Sequence, residues 1–297
     1  MDYAIEIKNL NQRFKDKVVC DNLSLNFEKN KIYGLLGKNG AGKTTLINMI
    51  AHQLIAKDGE IKIMGKSPKE DVSVIDNICV VREKEIITNT NTEVKVKEVL
   101  KSYSYFFPNY DYKLQDKLCK LFEISPKLKY RKLSRGMKTS VSNIIGICSN
   151  APITIFDEPT VGLDAVNRKE FYSILLESYM KENRTIIIST HHINDIEEIL
   201  EKVVVIKDGN VVIDDYIEEV NQKSYYISGQ KDELSRLSIL RNLKPIKSFG
   251  NTQVYYYYGE IGDSDLDLID KLDIDLENMK LEDLFVNINK KEESLYE

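Results

Sequence analysis

Five short runs along the chain are apolar at almost every position: Ile32-Tyr33-Gly34-Leu35-Leu36, Ile78-Cys79-Val80-Val81, Ile153-Thr154-Ile155-Phe156, Thr185-Ile186-Ile187-Ile188 and Val203-Val204-Val205-Ile206. Each is too short for a stable helix and lacks period-two alternation, which is the pattern of strands buried on both faces. Stretches with helical character lie between them, at Thr45–Ile50, from Met137 to about Asn150, at Ala165–Glu182 and around Asp195–Leu200. Strands and helices in this order predict a largely parallel sheet covered on both faces. Tyr3–Ile7 alternates in polarity and reads as a strand, with Val18-Val19 and Leu23–Phe27 as two more short ones. Glu60–Gly65 reads as a strand and turn, and Lys207-Asp208-Gly209-Asn210 as a hairpin turn into Val211-Val212-Ile213. Phe14 falls in a polar turn, Asn11–Lys17, where an aromatic is either a peg on the core or an exposed stacking face.

The pattern changes twice. From about Asn91 to Tyr130, Val94, Val96, Val99 and Leu100, then Leu114, Leu118, Leu121 and Phe122, recur at helical spacing. Asp111 is placed to cap the second of these helices, and Pro108 and Pro126 punctuate the segment. It reads as a helical insertion between two halves of the sheet domain. Residues Asp214–Lys223 are acidic and polar and read as a linker. Beyond it come strand (Ser224–Ile227), helix (Asp232–Leu243), strand (Pro245–Phe249), strand (Thr252–Tyr258), helix (Ser264–Leu272) and a last helix over Met279–Asn289. This order outlines a small two-layer, ferredoxin-like domain, with Tyr255-Tyr256-Tyr257-Tyr258 as a half-buried strand. The tail Lys290-Lys291-Glu292-Glu293 reads as a solvated end.

Composition narrows the function classes. A net charge of −5 gives no support to a nucleic-acid partner held by bulk electrostatics. No apolar run approaches the ~20 residues that cross a bilayer, so any membrane-spanning part must come from another chain. Asp2, Glu6 and Lys8 near the N-terminus argue against a signal peptide. Cys20, Cys79, Cys119 and Cys148 stand far apart and read as small buried residues of a reducing compartment, not as a zinc or disulfide framework.

The candidate chemistry is concentrated at Gly37-Lys38-Asn39-Gly40-Ala41-Gly42-Lys43-Thr44, which fits the P-loop pattern G-x-x-x-x-G-K-[ST] between a buried strand and a helix. Glycines free the backbone to turn tightly, so that successive N–H groups converge on a phosphate, and the helix N-terminus adds unpaired donors. In such a loop Lys43 reaches the β- and γ-phosphates and the Thr44 hydroxyl holds Mg²⁺, with Thr45 next in line. Asp157 and Glu158 close the strand Ile153–Phe156, where a parallel sheet opens onto its ligand crevice. Adjacent strand residues point to opposite sides, so Asp157 is assigned to Mg²⁺ and Glu158 to the attacking water.

Taken together, the P-loop, Leu133-Ser134-Arg135-Gly136, the strand ending Asp157-Glu158-Pro159-Thr160, Gly162-Leu163-Asp164 and Thr190-His191 resemble the ATP-binding subunit of an ABC transporter. The resemblance covers about residues 3–213. It implies an α/β P-loop NTPase fold of the ABC type, with a mixed sheet and a helical insertion (about 85–135), in an ATPase domain over 1–215. A small α+β C-terminal domain would occupy 222–297. It further implies ATP and Mg²⁺ as ligands, a transmembrane permease subunit as partner, and a second ATP-binding subunit in a homo- or heterodimer. The chain would lie in the cytoplasm on the inner face of the membrane, as the ATP-hydrolysing motor of a transport system. It most resembles bacterial subunits with one nucleotide-binding domain and a C-terminal extension, many of them exporter-type, so export is the expected direction. Residue by residue, Phe14 matches the aromatic that stacks on adenine, and Gly37, Asn39, Gly40, Ala41, Gly42, Lys43, Thr44 and Thr45 match the phosphate cradle. Ser134 and the Gly136 backbone match the segment that meets the γ-phosphate of the partner's ATP. Asp164 matches the residue linking the two sites, and His191 matches the histidine contacting the γ-phosphate and Glu158. Without the resemblance Ser134 and Asp164 read as helix N-caps, a capped helix alone leaving Gly136 unexplained, and either His191 or His192 as a structural histidine.

Two positions depart from the family pattern. Arg82 stands where a glutamine ends the strand Ile78–Val81, so either Glu83 substitutes for that glutamine or the loop serves coupling alone. Arg135 replaces the first signature glycine, and a cation in the first turn opposes the helix dipole by about 0.3–1 kcal/mol, so a phosphate or a partner carboxylate is expected to offset it. A soluble ABC ATPase acting on ribosomes or DNA would carry two nucleotide domains or a coiled-coil insertion, and the sequence has neither. A binding-only regulatory subunit fits less well with Lys43, Asp157, Glu158 and His191 all in place.

Overall fold

The computed structural model describes residues 2–15, 17–82 and 93–290. It divides into two compact units, Met1–Asp214 and Asp215–Glu297. In the first, β1 (Tyr3–Phe14), β2 (Lys17–Glu28) and β4 (Asp58–Ile63) form an antiparallel three-stranded sheet in the order β2-β1-β4. β3 (Ile32–Leu36), β5 (Ile78–Arg82), β6 (Ile153–Asp157), β7 (Thr185–Ser189), β8 (Lys202–Lys207) and β9 (Asn210–Tyr216) form a second sheet in the order β5-β6-β7-β3-β8-β9. The first five of these are parallel, and β9 returns through a tight turn in which Asp208 and Gly209 both take positive φ. β3 and β7 are buried at every position, as a strand with helices on both faces must be.

The short first-sheet strands expected at Tyr3–Ile7, Val18-Val19 and Leu23–Phe27 are parts of two long ones. Their intervening polar residues form the outward face of a half-buried hairpin, while Leu10, Cys20, Leu23 and Leu25 point to the core. Phe14 therefore ends a strand instead of sitting in a loop.

Helix α1 (Lys43–Ile50) follows the P-loop, and α2 (Val96–Ser104) and α3 (Tyr112–Leu121) make up the described part of the insertion. Asp111 caps α3, accepting from the Leu114 N–H at 2.8 Å. α4 (Arg135–Cys148) and α5 (Ala165–Lys181) flank β6 in sequence. Only a single 3₁₀ turn, Glu197–Ile199, forms where a short helix was expected near Asp195–Leu200. A large core cluster in the first unit joins Phe27, Tyr33, Leu35, Leu46, Ile155 and Ile187 among others. All four cysteines are buried and free, and burial pushes the thiols of Cys20, Cys79 and Cys119 up to about 11.

The acidic stretch expected to be a linker is regular structure: the end of β9 and helix α6 (Ile217–Gln222), with Val220 fully buried and the acidic residues on the outside. In the second unit β10 (Ser224–Gln230), α7 (Lys231–Leu234), β11 (Lys247–Phe249), β12 (Thr252–Tyr258), α8 (Asp263–Lys271), β13 (Asp275–Asn278) and α9 (Leu281–Ile288) follow in turn. The sheet order β11-β12-β10-β13 is that of a ferredoxin-like βαββαβ unit. β13 has a single apolar residue, Leu276, and gave no strand signal in the sequence. The helix expected over Asp232–Leu243 breaks into α7 and a 3₁₀ turn, Ser238–Leu240, which still buries Leu234, Leu237 and Leu240.

Asp265, 3% exposed, holds that 3₁₀ turn by accepting from the Ser238 N–H (2.8 Å), the Ser238 hydroxyl (2.6 Å) and the Ile239 N–H (3.3 Å). Burial raises its carboxyl, but the bonds from Ser238 and Ile239 outweigh this and hold it below the usual carboxylate range. A carboxylate depressed in the folded state adds stability above its unfolded pKa and loses it as pH falls through the folded one. Asp265→Asn is therefore expected to cost about 1–3 kcal/mol at neutral pH, and the difference from wild type should shrink below about pH 4. Urea unfolding of the two proteins across that range measures it; a pH-independent gap would contradict the charge-based account.

Candidate nucleotide-binding site

The chemistry collects at the carboxyl ends of neighbouring parallel strands, where chain ends, loops and helix starts face one crevice. β3 delivers the P-loop, β5 delivers Arg82, β6 delivers Asp157 and Glu158, and β7 is followed by Thr190 and His191. A cavity of about 340 Å³ opens there, with Phe14, Lys38, Asn39, Gly40, Lys43, Thr44, Thr45, Asp157 and Glu158 on its walls.

The P-loop is held by backbone geometry. Gly42 caps α1 at φ 108°, and a β-carbon there would lie 2.8 Å from the Val19 carbonyl oxygen, so the position admits only glycine. No side chain caps α1, which leaves its first N–H groups to a ligand. Lys43 is 7% exposed and donates from Nζ to the Gly37 carbonyl at 2.6 Å. Burial pushes its ammonium below the ordinary lysine value, against the opposing pull of Glu158 and Asp157. Phe14 is 47% exposed on the cavity wall, which removes the core-peg alternative. Lys17, not singled out from the sequence, also lines the cavity and donates from Nζ to the Gly40 carbonyl at 2.8 Å. Its signal was its place opposite Phe14 across the first hairpin.

Thr44 donates from Oγ1 to Asp157 Oδ2 at 3.3 Å, so a hydroxyl and a carboxylate oxygen meet beside Lys43. These are hard oxygen donors of the kind Mg²⁺ takes. Among the described residues no cluster of three or more His, Cys, Asp or Glu forms a metal cage, so phosphate and water oxygens would complete the shell, as is usual for this ion. Thr44 and Asp157 offer oxygens that fit Mg²⁺ on those terms, in competition with Arg82, which donates to the same Asp157 oxygen at 3.1 Å.

Glu158 adopts φ 55°, a left-handed conformation rare for a side chain of this size, while its N–H donates to the Ser189 carbonyl at 2.8 Å. The kink turns its carboxylate toward the end of β7. His191 Nδ1 lies 3.0 Å from both carboxylate oxygens, with the hydrogen bond going to Oε1, and Oε2 has no hydrogen-bond partner. His191, and not His192, is thus the histidine that meets Glu158; the His192 ring stacks obliquely on it at 4.1 Å.

Ser134, Gly136 and Asp164 are not on this cavity's walls. Ser134 caps α4 by accepting from the Met137 N–H at 3.2 Å, and Asp164 caps α5 by accepting from the Asn167 N–H at 2.9 Å. Gly136 has a use within its own chain: a β-carbon there would run into the Gly162 carbonyl oxygen. The Thr139 hydroxyl donates to the Val161 carbonyl at 2.7 Å and the Asn143 amide to the Pro159 carbonyl at 2.7 Å, binding α4 to the loop after Glu158. Close packing therefore accounts for a glycine that helix capping alone left unexplained. Ser134 and Arg135 remain exposed at the start of α4.

Arg82, the last residue of β5, reaches the carboxylate that ends β6. It is the register partner of Asp157 across β5 and β6, and its Nε donates to Asp157 Oδ2 at 3.1 Å. Glu83, one of the two alternatives there, lies outside the described residues, as does the tail after Lys290.

A glycine-lined phosphate cradle, a buried lysine and paired carboxylates at the mouth of a parallel sheet define a P-loop nucleoside triphosphatase. The ABC transporter family model matches residues 20–161. MJ1023 of Methanocaldococcus jannaschii, an ABC transporter ATP-binding protein, is 32% identical over 240 residues, 76% of this chain and 83% of that one. YtrB of Bacillus subtilis, of the same description, is 28% identical over 207 residues, 70% of each chain. Among solved structures, the dimeric bacterial ABC transporter cassette MJ0796 superposes with a TM-score of 0.62 at 21% identity, over 72% of this chain and 98% of that one. The chain belongs to the family of ABC transporter ATP-binding proteins, a family of ATPases.

Proposed function

We propose that this chain is the motor subunit of an ABC transporter. It would bind ATP with Mg²⁺ in the P-loop cavity and couple hydrolysis to transport, in the export direction, through a separate transmembrane permease on the cytoplasmic face of the membrane. The observation that carries the reading is the convergence of Lys43, Thr44, Asp157 and Glu158 on one cavity, with His191 held against Glu158. Residues 1–215 are assigned to the ATPase domain, and 222–297 to a small α+β C-terminal domain.

In this reading Phe14 stacks on the adenine, and the P-loop N–H groups with Lys43 hold the phosphates. Mg²⁺, when bound beside Thr44 and Asp157, neutralises phosphate charge. Glu158 accepts the proton of the attacking water on its carboxylate, which His191 Nδ1, 3.0 Å from both oxygens, holds in place. The exposed start of α4, with Ser134 at its cap, would close over the γ-phosphate held by a second copy, and Asp164 would lie at the junction of the two sites. Both half-sites are present on this chain, so two copies suffice for a complete pair. The exporter direction rests on the plan of one nucleotide unit followed by a C-terminal unit.

The transport assignment is tested by purifying the tagged full-length chain from the membranes of its own cells. A polytopic membrane protein recovered with it in stoichiometric amount supports the reading. Recovery of ribosomes or DNA in its place would contradict it.

A further inference from the structure

Arg82 does something a glutamine could not. Its Nε donates to Asp157 Oδ2 at 3.1 Å, and its Nη1 donates to Gln53 Oε1 at 3.1 Å. The two side chains are nearly sealed from solvent, at 10% and 9% exposure. The Arg82 carbonyl also accepts from the Ser142 hydroxyl at 3.3 Å, tying the end of β5 to α4. The oxygen that receives the guanidinium is the same one that receives the Thr44 hydroxyl at 3.3 Å. The carboxylate oxygen suited to Mg²⁺ is thus already engaged by a fixed cation on the neighbouring strand.

A guanidinium has no lone pair and is always charged, so it cannot join a Mg²⁺ shell and repels a divalent ion placed beside it. By neutralising Asp157, which lies on the cavity wall, it also removes a repulsion toward phosphate that a bound divalent ion would otherwise offset. We propose that Arg82 is a positioning residue that locks Asp157 in an ion pair and makes nucleotide binding at this site largely independent of the divalent ion. The inference rests on the reading that the P-loop cavity holds ATP.

The test is titration of the full-length chain with a fluorescent ATP analogue in excess EDTA and in excess Mg²⁺, alongside Mn²⁺ binding to the ATP complex followed by electron paramagnetic resonance. Wild type is expected to bind the metal-free nucleotide within about threefold of the Mg²⁺ complex. In Arg82→Gln, the Asp157 carboxylate left without its cation should weaken metal-free binding about tenfold and tighten Mn²⁺ binding about tenfold, while Arg82→Lys, which keeps the charge, restores much of the metal-free affinity. A purely structural role for Arg82 would lower the unfolding midpoint without changing the ratio of the two affinities. Wild type that binds nucleotide only with Mg²⁺, or Arg82→Gln with unchanged metal dependence and Mn²⁺ affinity, overturns the proposal while leaving the nucleotide site intact. No nucleotide binding by wild type in either condition overturns the site assignment, and this proposal with it.

Discussion

Glu158→Gln is expected to lower phosphate release from ATP by roughly 10²–10⁴-fold while leaving ATP affinity within a factor of about three. Glutamine keeps the size of the side chain and an oxygen for His191, but an amide has no basic site for the water's proton. The geometry makes the substitution selective. Glu158 is placed by its own backbone, through φ 55° and the N–H bond to the Ser189 carbonyl, so the side chain does not hold the loop in shape. Its carboxylate is held by His191 Nδ1, 3.0 Å from both oxygens. Steady-state phosphate release and nucleotide titration on the same preparations check the two halves separately. Equal turnover in the two proteins would remove Glu158 from the role of base.

Lys43→Met acts one step earlier, on binding. The Lys43 ammonium is buried and depressed in pKa by burial, with a single backbone carbonyl as hydrogen-bond partner at 2.6 Å. A buried cation with so few partners is costly in the free protein, and phosphate oxygens would supply the charge-assisted bonds that offset it. Methionine retains the bulk without the charge. The expected result is ATP binding weakened about 10²-fold, the loss of one or two charge-assisted bonds at about 1.5–3 kcal/mol each, with an unfolding temperature equal to or above that of wild type. Isothermal titration and a thermal melt measure both. Unchanged ATP affinity would place the nucleotide elsewhere, and a large drop in melting temperature would make Lys43 a structural residue.

What the sequence disclosed divides along physical lines. Strands buried on both faces, such as β3 and β6, are legible because burial forces an unbroken apolar run, and the P-loop because its function lies in contiguous backbone geometry. The caps Ser134, Asp111 and Asp164 were legible because capping is local. Contacts set by strand register were not. That Arg82 opposes Asp157 follows from the pairing of β5 with β6, 75 residues apart in sequence, and no local pattern encodes it. The approach of Gly136 to the Gly162 carbonyl is of the same kind. The acidic segment before Ser224 was misread because an exposed helix face and a linker share one composition when the buried side of the helix is a single Val220.

If two helix ends from separate copies close on one triphosphate, the mass of the particle in solution reports it most directly. Light scattering on Glu158→Gln, which binds ATP without consuming it, should give the mass of one chain without nucleotide and of two chains with ATP. Ser134→Arg, a bulky cation at the cap of α4 and remote from the P-loop cavity, should stay at one chain while still binding ATP. A particle that remains a single chain at saturating ATP, or a pair that forms equally well in Ser134→Arg, would contradict the account.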